Sequence, residues 1–168
     1  YEEGASWLFP EAFDAFLSAL PSAERHDPIS AYHRRLTHSD PRIQIEAERA
    51  WRLWEASTMA LRPDPARIRA FSSDAYALAF ARIERHYFVN RGFLAVDGQL
   101  LRDAPKLAGI PGAIVQGRYD VVTPARSAVN LHLAWPGSTL HMVPDAGHAM
   151  TEPGIVHELV AATRLFGK

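Results

Sequence analysis

Two short apolar runs near the C-terminus limit the folds open to this chain more than any other feature of its sequence. They are Gly112–Gly117 and Thr139–Val143, which are bounded by glycine or proline and rich in strand-favouring residues. A helical pattern follows each run, over Pro124–Ala134 and Pro153–Phe166. The order strand, helix, strand, helix predicts parallel pairing through right-handed crossovers. Because parallel strands normally bury both faces and have neighbours on each side, we expect these strands to be part of a larger sheet.

The first half of the chain, to about Ala108, is predicted to be helical. A capping carboxylate precedes a proline, a pairing typical of helix starts, at Asp27-Pro28, Asp40-Pro41 and Asp64-Pro65. Apolar residues at helical spacing predict helices over Pro10–Leu20, Pro28–Leu36, Pro41–Leu61 and Ser73–His86. We therefore divide the chain into a helical domain, 1–108, and a part of an α/β domain, 109–168.

The composition is that of an ordinary globular protein and argues against several functional classes. A net charge of -1 gives no reason to expect a nucleic-acid partner. The absence of cysteine excludes disulfides, thiolate metal sites and a cysteine nucleophile, and it is compatible with the cytoplasmic location that we expect. No apolar run approaches the ~20 residues that span a bilayer, so we expect no membrane partner. The eight histidines lack the spacing of metal ligands, and we expect neither a metal nor a cofactor.

A carboxylate and a histidine each follow one predicted strand, at the end where open α/β sheets build their sites. Asp120 comes after the first strand and His148 after the second. A serine becomes a good nucleophile when an imidazole takes its proton, and a carboxylate fixes the tautomer of that imidazole. Taken singly, Asp120 could cap the next helix and His148 could be a turn residue. Together, in the order Asp then His, they favour the triad of an α/β-hydrolase whose nucleophile comes earlier.

The 168 residues contain no matching nucleophile, because the elbow pattern G-x-S-x-G occurs nowhere in them. Gly4-Ala5-Ser6 comes nearest, but no strand is predicted before it and no second glycine closes the turn. We do not predict Ser6 to be catalytic. Since the chain also starts at Tyr1 without an initiator Met, we interpret it as part of a longer polypeptide whose earlier segment carries the nucleophile.

Six ordered blocks of the sequence resemble the proline iminopeptidases, or prolyl aminopeptidases, of the α/β-hydrolase superfamily. The blocks are Gly4-Ala5-Ser6 with Phe9-Pro10-Glu11, Ala31-Tyr32-His33-Arg34-Arg35-Leu36, Ala50-Trp51 with Trp54-Glu55, Ile83-Glu84-Arg85-His86-Tyr87-Phe88, Gln116-Gly117-Arg118-Tyr119-Asp120, and Gly147-His148. The resemblance implies the C-terminal portion of an α/β-hydrolase fold, a parallel sheet with flanking helices, preceded by an all-helical cap domain. It also implies that Asp120 is the triad acid and His148 the triad base. The family's serine lies in a Gly-Gly-Ser-Trp-Gly elbow upstream of this sequence.

The resemblance further implies a serine aminopeptidase that releases N-terminal proline from peptides, with an amine-binding site in the cap. Glu55 and Glu84 resemble the carboxylates that hold the free α-amino group of the substrate. Spacing alone favours a solvated helix position for Glu55 and an i,i+4 neighbour of a basic residue for Glu84, and only the resemblance reverses this. Tyr1, Trp54 and Phe88 could line an apolar slot for the pyrrolidine ring, although aromatic residues in a helical cap are more often core.

Two other interpretations remain open at the level of sequence. Without a nucleophile, the chain could be a non-catalytic or truncated relative that acts as a binding module. An epoxide hydrolase or dehalogenase shares the fold but carries an Asp at the elbow, although the cap blocks argue against that chemistry. If the N-terminal half of the core is required, in the same or a separate chain, we expect this chain alone to be inactive.

Overall fold

The protein folds into two compact units in a computed structural model that describes residues 4–62 and 74–167. The first unit comprises the described residues of Tyr1–Ser57 and Pro63–Leu94. The second comprises Thr58–Arg62 and the described residues of Ala95–Lys168. The short segment Thr58–Arg62 therefore packs with residues that come much later in the chain.

Helices dominate the first unit. They are α1 (Ala5–Leu8), α2 (Pro10–Ser18), α3 (Pro28–Leu36), α4 (Pro41–Thr58) and α5 (Asp74–Val89), with 3-10 turns at Ser22–Glu24 and Arg91–Phe93. α3 has the predicted bounds, but α4 ends at Thr58 rather than Leu61, where the chain enters the second unit. α5 continues one turn past His86 to Val89, and three residues with left-handed φ follow it, Arg91 at 51°, Gly92 at 62° and Phe93 at 60°.

Two of the three predicted helix caps are confirmed. Asp27 Oδ1 accepts a hydrogen bond from Ser30 N at 3.2 Å, at the start of α3. Asp40 Oδ1 accepts one from Arg42 N at 2.9 Å, at the start of α4. Each carboxylate thus satisfies an amide that has no partner inside its helix. The third predicted cap, Asp64-Pro65, lies outside the described residues.

An aromatic cluster of Phe13, Phe16, Tyr32, Trp51 and Trp54 forms the core of the first unit. The ring centroid of Phe16 lies 4.4 Å from that of Tyr32, 5.8 Å from that of Trp51 and 5.9 Å from that of Trp54. The Tyr32 hydroxyl donates to the Phe16 carbonyl at 2.7 Å, so its polar atom is satisfied although the residue is fully buried. Burial of large rings in such pairs dominates the energetics of a small helical core.

Two arginines of α5 hold the C-terminal end of α3. Arg82 Nε donates to the Leu36 carbonyl at 2.9 Å, and Arg85 Nη1 donates to the His33 carbonyl at 3.3 Å. The last carbonyls of a helix lack amide partners within it, and positive charge is favourable at that end. Both guanidinium groups are therefore used to attach α5 to α3.

The second unit contains a small parallel sheet with helices. Strands β1 (Gly112–Gly117) and β2 (Ser138–Val143) pair in parallel, with Gly112 opposite Ser138 and Gly117 opposite Val143. The helices are α6 (Gln99–Asp103), α7 (Ala125–Ala134) and α8 (Pro153–Phe166), with a 3-10 turn at Ala104–Leu107. The predicted strand order and parallel pairing are confirmed, and the content is that of part of an α/β fold.

The core of the second unit is small. Val143, Ala146 and Ile155 are buried together, with Val115 and Leu159 packed against them. By contrast, Leu133 on α7 is 76% exposed and Leu165 on α8 is 65% exposed. Two strands are too few to cover the apolar sides of their helices. Within the described residues, no helix is both long and apolar enough to cross a bilayer.

Candidate active site

The turn after β1 places Asp120 at the C-terminal end of the strand. Arg118 N donates to the Val143 carbonyl at 2.8 Å, and Tyr119 N donates to the Ala146 carbonyl at 3.0 Å. The contact between the β1 turn and the β2 loop is so close at Gly117 that a Cβ there would lie 2.0 Å from the Gly147 carbonyl oxygen. The lack of a side chain at Gly117 therefore allows the two loops to approach each other.

Both oxygens of the Asp120 carboxylate accept hydrogen bonds. Oδ1 accepts from the backbone amides of Val122 at 2.9 Å and Thr123 at 2.8 Å. Oδ2 accepts from the Thr123 hydroxyl at 2.8 Å and from Gln116 Nε2 at 3.1 Å. The carboxylate is thereby held in one orientation, with its side chain only 5% exposed.

His148 completes an acid–histidine pair with Asp120. Its Nδ1 lies 3.0 Å from Asp120 Oδ2 and 3.3 Å from the Thr123 hydroxyl. The backbone of the histidine loop is fixed separately, since His148 N and Ala149 N both donate to the Met59 carbonyl at 2.8 Å. The imidazole is 32% exposed, so a buried acid orients a base that is accessible from outside.

The ionisation of Asp120 determines the tautomer of the histidine. Burial by itself raises the pKa of Asp120, but hydrogen bonds from His148 and Thr123 favour the charged form more strongly, and its pKa lies below the ordinary value. An ionised carboxylate can only accept, so Nδ1 of a neutral His148 must carry the hydrogen. The ring lone pair then lies on Nε2, the nitrogen that can take a proton from a nucleophile.

Sequence analysis missed Gln116 and Thr123 as parts of this site. Gln116 lies in the predicted strand Gly112–Gly117 and in one block of the family resemblance, but neither Gln116 nor Thr123 was predicted to be a site residue. A polar amide in a strand of otherwise apolar residues was the available signal, because such a group needs a buried partner. For Thr123 the signal was weaker, since a threonine three residues after an aspartate is common in turns.

Glu84, one of the two predicted amine-binding carboxylates, is half-buried on α5. Its Oε2 accepts a hydrogen bond from the indole Nε1 of Trp51 at 3.1 Å. Arg82 and Arg85, its neighbours on the helix, donate instead to backbone carbonyls of α3. Glu55 is half-buried on α4, beside Trp54 in the sequence.

The three aromatic residues predicted for a proline slot have different surroundings. Trp54 is 3% exposed and belongs to the aromatic cluster, with its ring centroid 5.2 Å from that of Phe13. Phe88 is 41% exposed, and its ring centroid lies 6.2 Å from that of Trp51. Tyr1 lies outside the described residues.

The structure gives no metal-binding cluster within its described residues: no three His, Asp or Glu side chains there come together as ligands.

Comparison with other proteins finds relatives from several species that are all named proline iminopeptidase. The chain is 53% identical over 166 residues to a proline iminopeptidase of Xylella fastidiosa, covering 99% of this chain and 53% of that protein. It is 52% identical over 163 residues to a proline iminopeptidase of Xanthomonas citri, covering 97% of this chain and 52% of the relative. A proline iminopeptidase of Arabidopsis thaliana is 48% identical to the chain over 163 residues. The match covers 96% of this chain and 43% of that protein.

The similarity extends over almost the whole chain but over only part of each relative. No family model matches the sequence. The chain spans about half the length of the relatives it matches. Identity near 50% over 99% of the residues nevertheless confirms the resemblance drawn from the sequence blocks. Over nearly its whole length, the chain is thus similar to about half of the length of proline iminopeptidases from several species.

Proposed function

We propose that this chain supplies the acid and the base of a Ser–His–Asp triad in a serine aminopeptidase that releases N-terminal proline from peptides. The observation that carries the proposal is the 3.0 Å hydrogen bond between Asp120 Oδ2 and His148 Nδ1. The acid is buried and ionised, and the base is partly exposed, which is the division of roles that a triad requires. The names of the relatives supply the substrate class.

The chemistry follows from the tautomer of His148. Nε2 takes the proton of a serine hydroxyl as its oxygen attacks the carbonyl carbon of the N-terminal proline residue. His148 then gives that proton to the departing amine as the C–N bond breaks, leaving an acyl-enzyme. A water molecule, deprotonated by the same Nε2, attacks the acyl carbon, and the ester bond breaks as His148 returns the proton to the serine oxygen, which releases proline. Throughout, the charge of Asp120 stabilises the imidazolium.

Glu55 and Glu84 are proposed to bind the substrate's amino group. An N-terminal proline is a secondary ammonium with two N–H groups, and carboxylates are suitable acceptors for both in charge-assisted hydrogen bonds. In support, Glu84 is half-buried and accepts from a neutral indole, while the adjacent arginines bond elsewhere. A carboxylate held in this way keeps its charge available for a cationic ligand.

The nucleophile and the rest of the sheet are proposed to come from the half of the protein that this chain does not represent. We propose that residues 1–108 form the helical cap and that 109–168 form the end of an α/β-hydrolase core. The exposure of Leu133 and Leu165 supports a larger core in the complete protein, because apolar side chains on the helices of a sheet are normally covered. The chain alone should then be inactive.

The experiment is steady-state kinetics of the complete protein on a prolyl arylamide. Asp120→Asn and His148→Ala should each lower kcat by roughly three to four orders of magnitude while the protein stays folded. Asp145→Asn is the matched control, because it removes an exposed carboxylate from the same loop as His148. Near-normal turnover in either site variant would refute the triad.

A non-catalytic role is the second candidate, and the absence of G-x-S-x-G from the 168 residues is the observation that favours it. Labelling with a fluorophosphonate, which reacts with activated serines, separates the two candidates. A labelled serine in the complete protein supports the aminopeptidase, and loss of the label in His148→Ala ties it to this triad. A complete protein that neither labels nor turns over would favour the binding module.

A further inference from the structure

The geometry around Glu84 points to one more residue in amine recognition. We propose that Trp51 is a positioning residue that orients the Glu84 carboxylate toward a cationic amine ligand. This inference rests on the proposed function, which assigns Glu84 to the substrate amine. It is carried by a buried indole N–H directed at a half-buried carboxylate whose neighbouring arginines bond elsewhere.

The direction of the indole N–H is fixed by packing. Trp51 is 0% exposed, and its ring centroid lies 5.4 Å from that of Tyr32 and 5.8 Å from that of Phe16. Phe88 adds a further ring at 6.2 Å. A large ring in a close-packed interior has one orientation, so Nε1 can donate in one direction only. That direction ends at Glu84 Oε2, 3.1 Å away.

The charge of Glu84 is not neutralised by this contact. Arg82 and Arg85 flank it on α5, but their guanidinium groups donate to the carbonyls of Leu36 and His33. Among the described residues, Glu84 takes part in no salt bridge. The indole is a neutral donor, so it orients the carboxylate and leaves its negative charge for a ligand.

A fixed carboxylate binds an ammonium group better than a freely rotating one. A glutamate in water samples several rotamers, and a ligand that selects one of them must order the side chain as it binds. The Trp51 hydrogen bond to Oε2 restricts the rotamers of Glu84 beforehand. We therefore expect loss of the indole N–H to weaken cationic ligands selectively.

The test is the binding of L-prolinol to the complete protein, measured by calorimetry at neutral pH. Prolinol has the secondary ammonium of proline and no bond to hydrolyse, and N-acetylprolinol is its neutral analogue. Trp51→Phe removes the N–H and keeps an aromatic ring. We expect the Kd of prolinol to rise roughly five- to tenfold, since the net contribution of one ordinary hydrogen bond is at this level. The ratio of the two ligands' affinities should fall by a similar factor.

Tyr32→Phe is the matched control, because it removes one hydrogen-bond donor from the same aromatic cluster. Tyr32 donates to the Phe16 carbonyl rather than to a carboxylate, so this variant should leave the ratio of the two ligands' affinities unchanged.

A second measurement, on the unmutated protein, avoids any folding defect of a variant. The indole 1H–15N resonance of Trp51 should shift when prolinol binds and should not shift with N-acetylprolinol.

The outcomes separate this inference from the proposed function. Equal weakening by Trp51→Phe and Tyr32→Phe, or an indole resonance that does not move as prolinol binds, would overturn the role of Trp51. If Glu84→Gln weakens prolinol binding and Trp51→Phe does not, only the positioning role fails. If Glu84→Gln has no effect, or prolinol does not bind, the amine site assigned to Glu84 fails together with it.

Discussion

Gln116 and Asp120 are joined by a hydrogen bond from a strand residue to the acid in the following turn, with Gln116 Nε2 3.1 Å from Asp120 Oδ2. The same nitrogen lies 3.1 Å from the carbonyls of both Gly117 and Thr123. An amide nitrogen has two hydrogens, so it shares them among three acceptors. Gln116 thus connects the start and the end of the turn to the carboxylate between them.

Gln116→Leu should raise the pKa of Asp120, because the charged carboxylate loses a donor while the volume at position 116 is nearly kept. In the complete protein we expect kcat/KM to fall about five- to tenfold, the effect of roughly one hydrogen bond. The pKa is read from a carbon NMR titration of the Asp120 carboxyl. Thr139→Val, which removes a hydroxyl from β2, is the control. An unaltered Asp120 titration in Gln116→Leu would contradict the assigned role.

The charge of Asp120 should make the free energy of unfolding of the chain fall at low pH. Its pKa is lowered on folding, so the stabilisation from its charge is present above the unfolded pKa, about 3.9, and is lost as pH falls through the folded pKa. The gap in free energy of unfolding between the native chain and Asp120→Asn should narrow as pH falls from about 6 to 3. Urea denaturation at several pH values measures it. Asp27 and Asp40 also have lowered pKa values, but both residues are present in both proteins. Their contributions therefore cancel in the difference between the two free energies of unfolding.

Gly117→Ala should disturb both loops of the site. The added Cβ would lie 2.0 Å from the Gly147 carbonyl oxygen and 2.7 Å from that of Ala146, and both of these are backbone atoms. We expect a lower midpoint of thermal unfolding and displaced amide resonances at Asp120 and His148. Gly167→Ala is the control, because its Cβ would approach its nearest neighbour, the Thr163 carbonyl, no closer than 3.2 Å. Equal effects of the two substitutions would argue against crowding as the cause.

Asp27→Ala should destabilise the chain by about 1 kcal/mol through loss of the α3 cap. The carboxylate accepts from Ser30 N at 3.2 Å, and alanine offers no acceptor. Asp27→Asn keeps a side-chain oxygen in the same place and should retain most of the stability. Denaturant unfolding of the three proteins gives the comparison, and an asparagine variant as unstable as the alanine variant would exclude the cap as the cause.

Local signals in the sequence predicted most of the described elements. An aspartate followed by proline located the start of α3, because each residue acts within one turn of itself, and the helical spacing of apolar residues located its end. The strands followed from apolar runs bounded by glycine, and β2 begins only one residue earlier than predicted, at Ser138. The pairing of Asp120 with His148 followed from the rule that parallel strands end at one edge.

The remaining features depend on contacts between distant residues. The Trp51–Glu84 hydrogen bond joins positions 33 residues apart, and no spacing rule connects an indole on one helix with a carboxylate on another. The attachment of Arg82 to the end of α3 is of the same kind. Such pairs form only once the helices have packed, so the sequence does not show which side chains will meet.

The carbonyl of Met59 accepts hydrogen bonds from the amides of both His148 and Ala149. A fragment that keeps the histidine loop in this conformation must therefore include Met59. A peptide beginning at Ala95 would contain β1, β2 and the acid–histidine pair, yet two amides beside the base would lose their acceptor. Water would take the place of that acceptor, and without the Met59 contact to fix it the histidine loop of that peptide should rearrange. A split of the chain between Arg62 and Ala95 would therefore leave the base dependent on reassociation with the other piece.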